Sequence, residues 1–282
     1  MLTLGLILAA IKITRPPNCL AGLSGALLGG LLSGHLSPRL WLAAAVVACL
    51  TAACNVVNDY FDVEIDRINK PQRVLPSGQM SLRAARRWAA CLVVAGLGLA
   101  IPLGWVSFAL AAVMAALLFV YSRWLKSSFL IGNVLVAFMS GMAVVYGGLA
   151  VGHVVVTFAS AMVVLLFMLC REILKTVEDY EGDLSSQVRT VAVVIGREPT
   201  LRVFAGLAIV AVGATQLPWL MGHVSKVYPL LIVPGVDVVL LVGAALLLRR
   251  PTQRRIQGML TATKVDWLVW VVAMFAGLTF RI

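Results

Sequence analysis

Residues 127–170, SSFLIGNVLVAFMSGMAVVYGGLAVGHVVVTFASAMVVLLFMLC, run for 44 positions without an Asp, Glu, Lys or Arg. A hydrocarbon core of about 30 Å is crossed by about 20 apolar residues as a helix, so this stretch is long enough to cross twice. Its break falls between Gly147-Gly148 and Gly152-His153, where glycines permit a tight turn. The 35 charge-free residues between Arg87 and Arg123 divide likewise at Pro102-Leu103-Gly104, and 23 more lie between Arg202 and Lys226. The fold is therefore all-α, a multi-pass membrane bundle. Nine spans account for the pattern, near 18–34, 40–58, 88–103, 105–122, 128–149, 153–171, 203–222, 227–248 and 264–281, in one domain over 1–282.

Composition agrees. The chain of 282 residues is 61% hydrophobic and only 12% charged, about half the charged share of a soluble domain. Its net charge of +11 is not gathered into any soluble domain, which argues against nucleic acid and for positive cytoplasmic loops. With the N-terminus inside, 20 of the 23 Lys and Arg fall on the inner side; only Arg39, Lys226 and Arg281 fall outside. That asymmetry predicts N-in, C-out. The first residues, MLTLGLILAAIKIT, lack the basic start of a signal peptide and read as a short interfacial helix. Trp41, Trp88, Trp105, Trp124, Trp219 and Trp267 lie near span ends, as an aromatic belt requires. Cys19, Cys49, Cys54, Cys91 and Cys170 lie in or beside apolar segments without metal spacing and read as small core residues. His35, His153 and His223 fall in outer loops.

Nine of the twelve acids occupy two inner segments, which leave spans 2 and 6 in the same direction. The first reads N55-V-V-N58-D59-Y-F-D62-V-E64-I-D66-R67, and Asn55, Asp59, Asp62 and Asp66 form one helical stripe. The second reads R171-E172-I-L-K175-T-V-E178-D179-Y-E181-G-D183, with Glu172, Lys175, Asp179 and Asp183 in a similar stripe. Like charges one turn apart weaken a helix. A hard divalent cation, held through oxygen and shared with a substrate phosphate, would offset that repulsion. The plainer reading, two solvated helix extensions, suits one stripe better than two at the same depth and face. The recurrence suggests two four-helix halves and one extra helix.

N58-D59-x-x-D62-x-x-x-D66 resembles the first signature of the UbiA superfamily of intramembrane prenyltransferases, and D179-x-x-x-D183 resembles the second. The nine-helix topology agrees, so the resemblance covers essentially the whole chain. Many members carry a third aspartate where this chain has Lys175. The wording R171-E172-x-x-K175-x-x-E178-D179-x-x-G182-D183 looks more like the archaeal branch that makes digeranylgeranylglyceryl phosphate.

The resemblance implies a Mg²⁺-dependent transfer of a geranylgeranyl group to the free hydroxyl of a glycerol phosphate ether. Its catalytic acids would be Asp59, Asp62, Asp66, Asp179 and Asp183. Asn58, Asp62 and Asp66 would hold one Mg²⁺ and Asp179 with Asp183 a second, with Asp59 orienting them or ligating directly. Arg67, Lys126, Tyr121, Asn18 and Lys175 would meet the substrate diphosphate. Arg123 reads as a topology anchor, and Asn18 and Asn133 as amides facing the bundle interior. Arg73, Arg189 and the Arg249-Arg250/Arg254-Arg255 loop are candidates for an acceptor phosphate. The partners implied are a prenyl diphosphate, a lipid-like acceptor and membrane lipid, with no nucleic acid and no obligatory protein partner. An aromatic acceptor is the alternative within the enzyme class. A cation-coupled transporter is the alternative outside it, disfavoured because only Asp237 lies deep.

Overall fold

A computed structural model describes residues 4–32, 34, 37–126 and 128–280, and the backbone of Asn69. His35 and Arg281 lie outside the described residues. The expected interfacial helix is α1 (Leu4–Ile13), pinned where the Trp88 indole donates to the Ala10 carbonyl at 3.1 Å. Then follow α2 (Pro16–Leu31), α3 (Pro38–Phe61), the short α4 (Val63–Asn69), α5 (Leu82–Ala100) and α6 (Trp105–Val120). The second half holds α7 (Ile131–Ala150), α8 (Phe158–Glu178), two short helices α9 (Tyr180–Ser185) and α10 (Val191–Ile195), and α11 (Arg197–Thr215). After α12 (Leu217–Leu220), α13 (Val227–Ile232) and α14 (Val238–Arg249) are joined by the π-helical turn Val233–Asp237, and α15 (Gln253–Thr279) closes the bundle.

Among the described residues, eight helical stretches are long and apolar enough to cross a membrane. The ninth, α2, has 16 residues, about 24 Å of helix at 1.5 Å per residue. The chain is a multi-pass membrane protein.

The two halves meet where α2 crosses α7. Gly29 lies against the Val144 carbonyl and Gly147 against the Ala26 carbonyl, so that a methyl on either glycine would strike backbone. The same register separates Ala26 from Val144 as separates Gly29 from Gly147, so each helix presents the same patch to the other. Small residues let the backbones approach this closely in a membrane, where hydrophobicity alone does not drive helices together. Around this crossing α3 packs on α2 and α8 on α7, while α15 touches both α2 and α8. The two acidic segments therefore hang from equivalent helices.

One expectation needs correction. Asp237 is deep, as its place in the sequence predicts: it ends a π-helical turn inside one continuous span, buried, with its carboxylate accepting from the Thr215 hydroxyl (2.9 Å) and the Gln216 amide (2.7 Å). It is not the only deep acid. The last helix begins at Gln253 rather than near Lys264, so Asp266 sits at mid-helix and is also buried.

Candidate active site

Each acidic stripe is carried across a bend. Helix α3 gives way to α4 at Asp62 (φ −88°, ψ −1°), and α8 to α9 at Asp179 (φ −84°, ψ 2°). Backbone bonds end and restart at each bend residue. Asp62 donates its amide to Asn58 O at 3.0 Å and Asp66 to Asp62 O at 2.8 Å; Asp179 donates to Lys175 O at 3.0 Å and Asp183 to Asp179 O at 2.9 Å. The four-residue spacing of these bonds keeps Asn58, Asp62 and Asp66 in one series and Lys175, Asp179 and Asp183 in the other.

In the first stripe every carboxylate has a cation. Arg15 pairs with Asp59, Arg73 lies 2.6 Å from Asp66 and 3.6 Å from Asp59, and Lys126 pairs with Asp62. Arg15 takes a left-handed backbone (φ 52°) immediately before Pro16-Pro17. Such a conformation is costly for a side-chain-bearing residue, and it delivers the guanidinium to Asp59. Lys126 is aimed by the π-helical turn Tyr121–Leu125, whose wider pitch hands the Lys126 amide to Tyr121 O at 3.0 Å. π-Turns of this kind recur at functional sites. Tyr121 is buried, and the charges of Glu172 and Asp62 both reach its hydroxyl, so it stands between the two stripes. Asn18 donates to Asn55 at 3.3 Å and Asn55 to Thr14 O at 2.8 Å, so Asn18 braces the stripe from behind. Asn133 does the like on the other half, donating to Glu172 O at 3.4 Å.

The second stripe is charged differently. Buried Glu172 is shared by Arg171 (3.4 Å) and Lys175 (3.3 Å), while Asp179 and Asp183 form no ion pair among the described residues. Burial pushes the Asp183 carboxyl above the ordinary carboxylate range, and neighbouring Asp179 adds to the rise against Lys175 and Lys126. A cation at this pair would relieve that strain on the ionised form.

Of the residues expected here, Asn58, Asp59, Asp62, Asp66, Tyr121 and Lys126 come together on the first half, with Asn18 behind them. Asp179, Asp183 and Lys175 line the second half. Arg67 turns away: it is exposed and paired with exposed Glu64 at 2.7 Å. Its place is taken by Arg15 and Arg73. Arg15 carried no site assignment in the sequence, and Arg73 carried one only toward an acceptor. Arg123 is more than a bare anchor, lying 5.5 Å from the Phe61 ring centroid and 5.8 Å from that of Trp124. Phe119 meets both rings edge-on and also walls an apolar cavity with Leu50, Cys54, Val57 and Leu118. A second, smaller apolar hollow lies between α8, α11 and α15.

Among the described residues, no three His, Cys, Asp or Glu side chains gather into a ready-made metal centre. Mg²⁺ does not need one, since it takes one or two carboxylates and completes its octahedron with water and substrate phosphate. The donor set fits that habit. Among the described residues, Asn58 Oδ1 is a buried oxygen with no hydrogen-bond partner, one turn from Asp62, and Asp179 and Asp183 form no ion pair.

The profile of the UbiA prenyltransferase family matches residues 19–265. The digeranylgeranylglyceryl phosphate synthase of Thermococcus kodakarensis is 39% identical over 97% of this chain and 99% of its own. That of Methanopyrus kandleri is 38% identical over 83% and 86%. Among solved structures, a digeranylgeranylglyceryl phosphate synthase superposes with a TM-score of 0.81 at 29% identity, covering 97% of this chain and 98% of its own. A UbiA homolog from Archaeoglobus fulgidus bound to GPP and Mg²⁺ shares the fold, with a TM-score of 0.71 at 20% identity over 96% and 99% of the two chains.

Proposed function

The chain belongs to the UbiA prenyltransferase family, and we propose that it transfers a geranylgeranyl group from geranylgeranyl diphosphate to the free hydroxyl of geranylgeranylglyceryl phosphate. The product would be a membrane ether-lipid precursor. One observation carries the reading: two equivalent carboxylate bends, one with the orphaned Asn58 oxygen beside Asp62 and the other with two carboxylates that form no ion pair among the described residues.

Asn58, Asp62 and Asp66 would hold one Mg²⁺ and Asp179 with Asp183 another; bound there, the ions neutralise the diphosphate as it leaves. The chain's own groups do the rest. Asp59, locked by Arg15 and Arg73, fixes the first stripe in its binding geometry. Lys126 exchanges part of its contact with Asp62 for a diphosphate oxygen, adding positive charge where negative charge develops. The Tyr121 hydroxyl, between the stripes, donates to the same group. Phe61 and Phe119 cover the reactive carbon, and the apolar cavity beneath Phe119 receives prenyl chain and excludes water, so that the acceptor hydroxyl meets the allylic carbon first. The proton lost by that hydroxyl leaves through the released diphosphate. The skew of 20 in 23 basic residues supports an N-terminus and an active site on the cytoplasmic side.

Purified protein incubated with labelled geranylgeranyl diphosphate, Mg²⁺ and a panel holding geranylgeranylglyceryl phosphate and 4-hydroxybenzoate tests this. Label should appear in the glyceryl ether and require Mg²⁺. Label only in the aromatic acceptor would overturn the choice of acceptor, and no transfer with ion flux in vesicles would overturn the enzyme.

A further inference from the structure

The equivalence of the two bends assigns more than the metals. Matched at Asp62 and Asp179, the two halves correspond turn by turn: Asp66 with Asp183, Asn55 with Glu172, and Asn58 with Lys175. The position one turn before the bend carries a neutral oxygen ligand in the first half and an ammonium in the second. An ammonium cannot ligate a metal. That position of the second half is therefore built to meet an anion directly.

The local charge agrees. Arg15, Arg73 and Lys126 in the first half stand against Asp59, Asp62 and Asp66, three cations on three carboxylates. In the second half Arg171 and Lys175 share the single carboxylate of Glu172, at 3.4 and 3.3 Å, both looser than a charge-assisted hydrogen bond. Arg171 and Lys175 thus have one carboxylate in direct contact between them, while Asp179 and Asp183, the other acids of this stripe, form no ion pair with either among the described residues. Glu172 is buried and holds both cations from below, while Lys175 remains nearly half exposed, its side chain 44% accessible. Arg171, one turn deeper, is 24% accessible. The pair forms a step from the membrane interior to the interface, on the half opposite Lys126.

From this geometry we infer that Lys175, with Arg171 behind it, holds the phosphate of the acceptor rather than the diphosphate of the donor. The inference rests on the proposed function, which gives the acceptor a phosphate. It separates the two anionic substrates by half: the donor diphosphate lies between the metal-binding carboxylates and Lys126, and the acceptor phosphate lies on the lysine that replaces a ligand. Lys175 is thus a specificity-determining residue. A chain with an oxygen ligand there would have no charge to spend on a phosphorylated acceptor.

The test is a split of Michaelis constants. Lys175→Met should raise KM for geranylgeranylglyceryl phosphate by about tenfold to a hundredfold, as loss of a charged hydrogen bond to phosphate does. KM for geranylgeranyl diphosphate should stay within about twofold. Lys175→Arg should restore most of the loss, which also shows that the position tolerates substitution. Geranylgeranylglycerol, the same acceptor without phosphate, should be a poor substrate for the native protein and no poorer for Lys175→Met. A rise in KM for the diphosphate in place of the acceptor would overturn the assignment, as would an unchanged KM for both. Native protein that prenylates only phosphate-free aromatic acceptors would instead overturn the proposed function, and this assignment with it.

Discussion

Asp62 and Asp179 occupy the same bend in the two halves, with backbone angles that differ by a few degrees (φ −88°, ψ −1° and φ −84°, ψ 2°). Each ends a long apolar helix and starts a short one, with a backbone bond ending at the bend residue's amide and the next starting at its carbonyl. Carboxylates one turn apart repel, and a cation shared between Asp62 and Asp66 or between Asp179 and Asp183 would offset that repulsion.

Removing either stripe's metal-facing carboxylate should stop turnover without unfolding the chain. Asp62→Ala and Asp183→Ala should each lower kcat by at least about a hundredfold, the usual scale for one electrostatic contact in a transition state. Monodispersity in detergent should match the native protein. Activity within a few-fold of native in either variant would refute the metal assignment.

The two arginines near the first stripe should behave oppositely. Arg67 meets only exposed Glu64, and such surface pairs contribute about 0–1 kcal/mol, so Arg67→Ala should stay within about threefold of native activity. Arg73 faces Asp66 and Asp59, whose side chains are each only 6% accessible. Arg73→Ala leaves Asp66 without its cation while Asp59 keeps Arg15, and an uncompensated buried charge costs up to about 3–5 kcal/mol. It should lower both the thermal midpoint and activity, and equal behaviour of the two variants would contradict the geometry.

This contrast also marks what the sequence discloses. The stripes are legible because spacings of three and four put Asn55, Asp59, Asp62 and Asp66 on one face whatever surrounds them. The spans are legible because a charge-free run of that length has no other stable place. Arg15 is not legible, because its reach to Asp59 depends on a left-handed backbone before two prolines. Lys126 is aimed by a π-turn that no composition rule announces. Arg67 was favoured over Arg73 by adjacency in sequence, yet Arg67 points outward from α4 while the loop after α4 folds Arg73 back. Asp266 is not legible, because Lys264 reads as the edge of the membrane, whereas the helix extends back to Gln253.

At the crossing of α2 and α7, Gly29→Ala and Gly147→Ala each force a methyl against a carbonyl of the facing helix. Overpacking of this kind costs about 1–3 kcal/mol. Either variant should lower the thermal midpoint in detergent. Because both contacts belong to one interface, the double variant should fall short of the sum, since separating the helices for one methyl makes room for the second. Strict additivity would show that the two contacts do not share a crossing.

The deep acids make the last prediction, because their surroundings differ. Asp237 is satisfied, accepting from Thr215 at 2.9 Å and Gln216 at 2.7 Å, whereas Asp266 Oδ2 is buried with no hydrogen-bond partner. Asp266 borders a small apolar hollow walled by Val163, Val164, Phe167, Val236 and Trp267. An unsatisfied buried polar group costs about 1–3 kcal/mol, and an apolar side chain of similar shape removes that cost. Asp266→Leu should therefore raise the thermal midpoint, because its methyls enter the cavity and no partner is orphaned. Asp237→Leu should lower it, since the Gln216 amide loses its closest acceptor and the Thr215 hydroxyl one of two, keeping Val212 O at 2.7 Å. Thermal unfolding of the two variants side by side decides the matter. A fall for Asp266→Leu as large as that for Asp237→Leu would mean that the Asp266 carboxyl is needed where it stands.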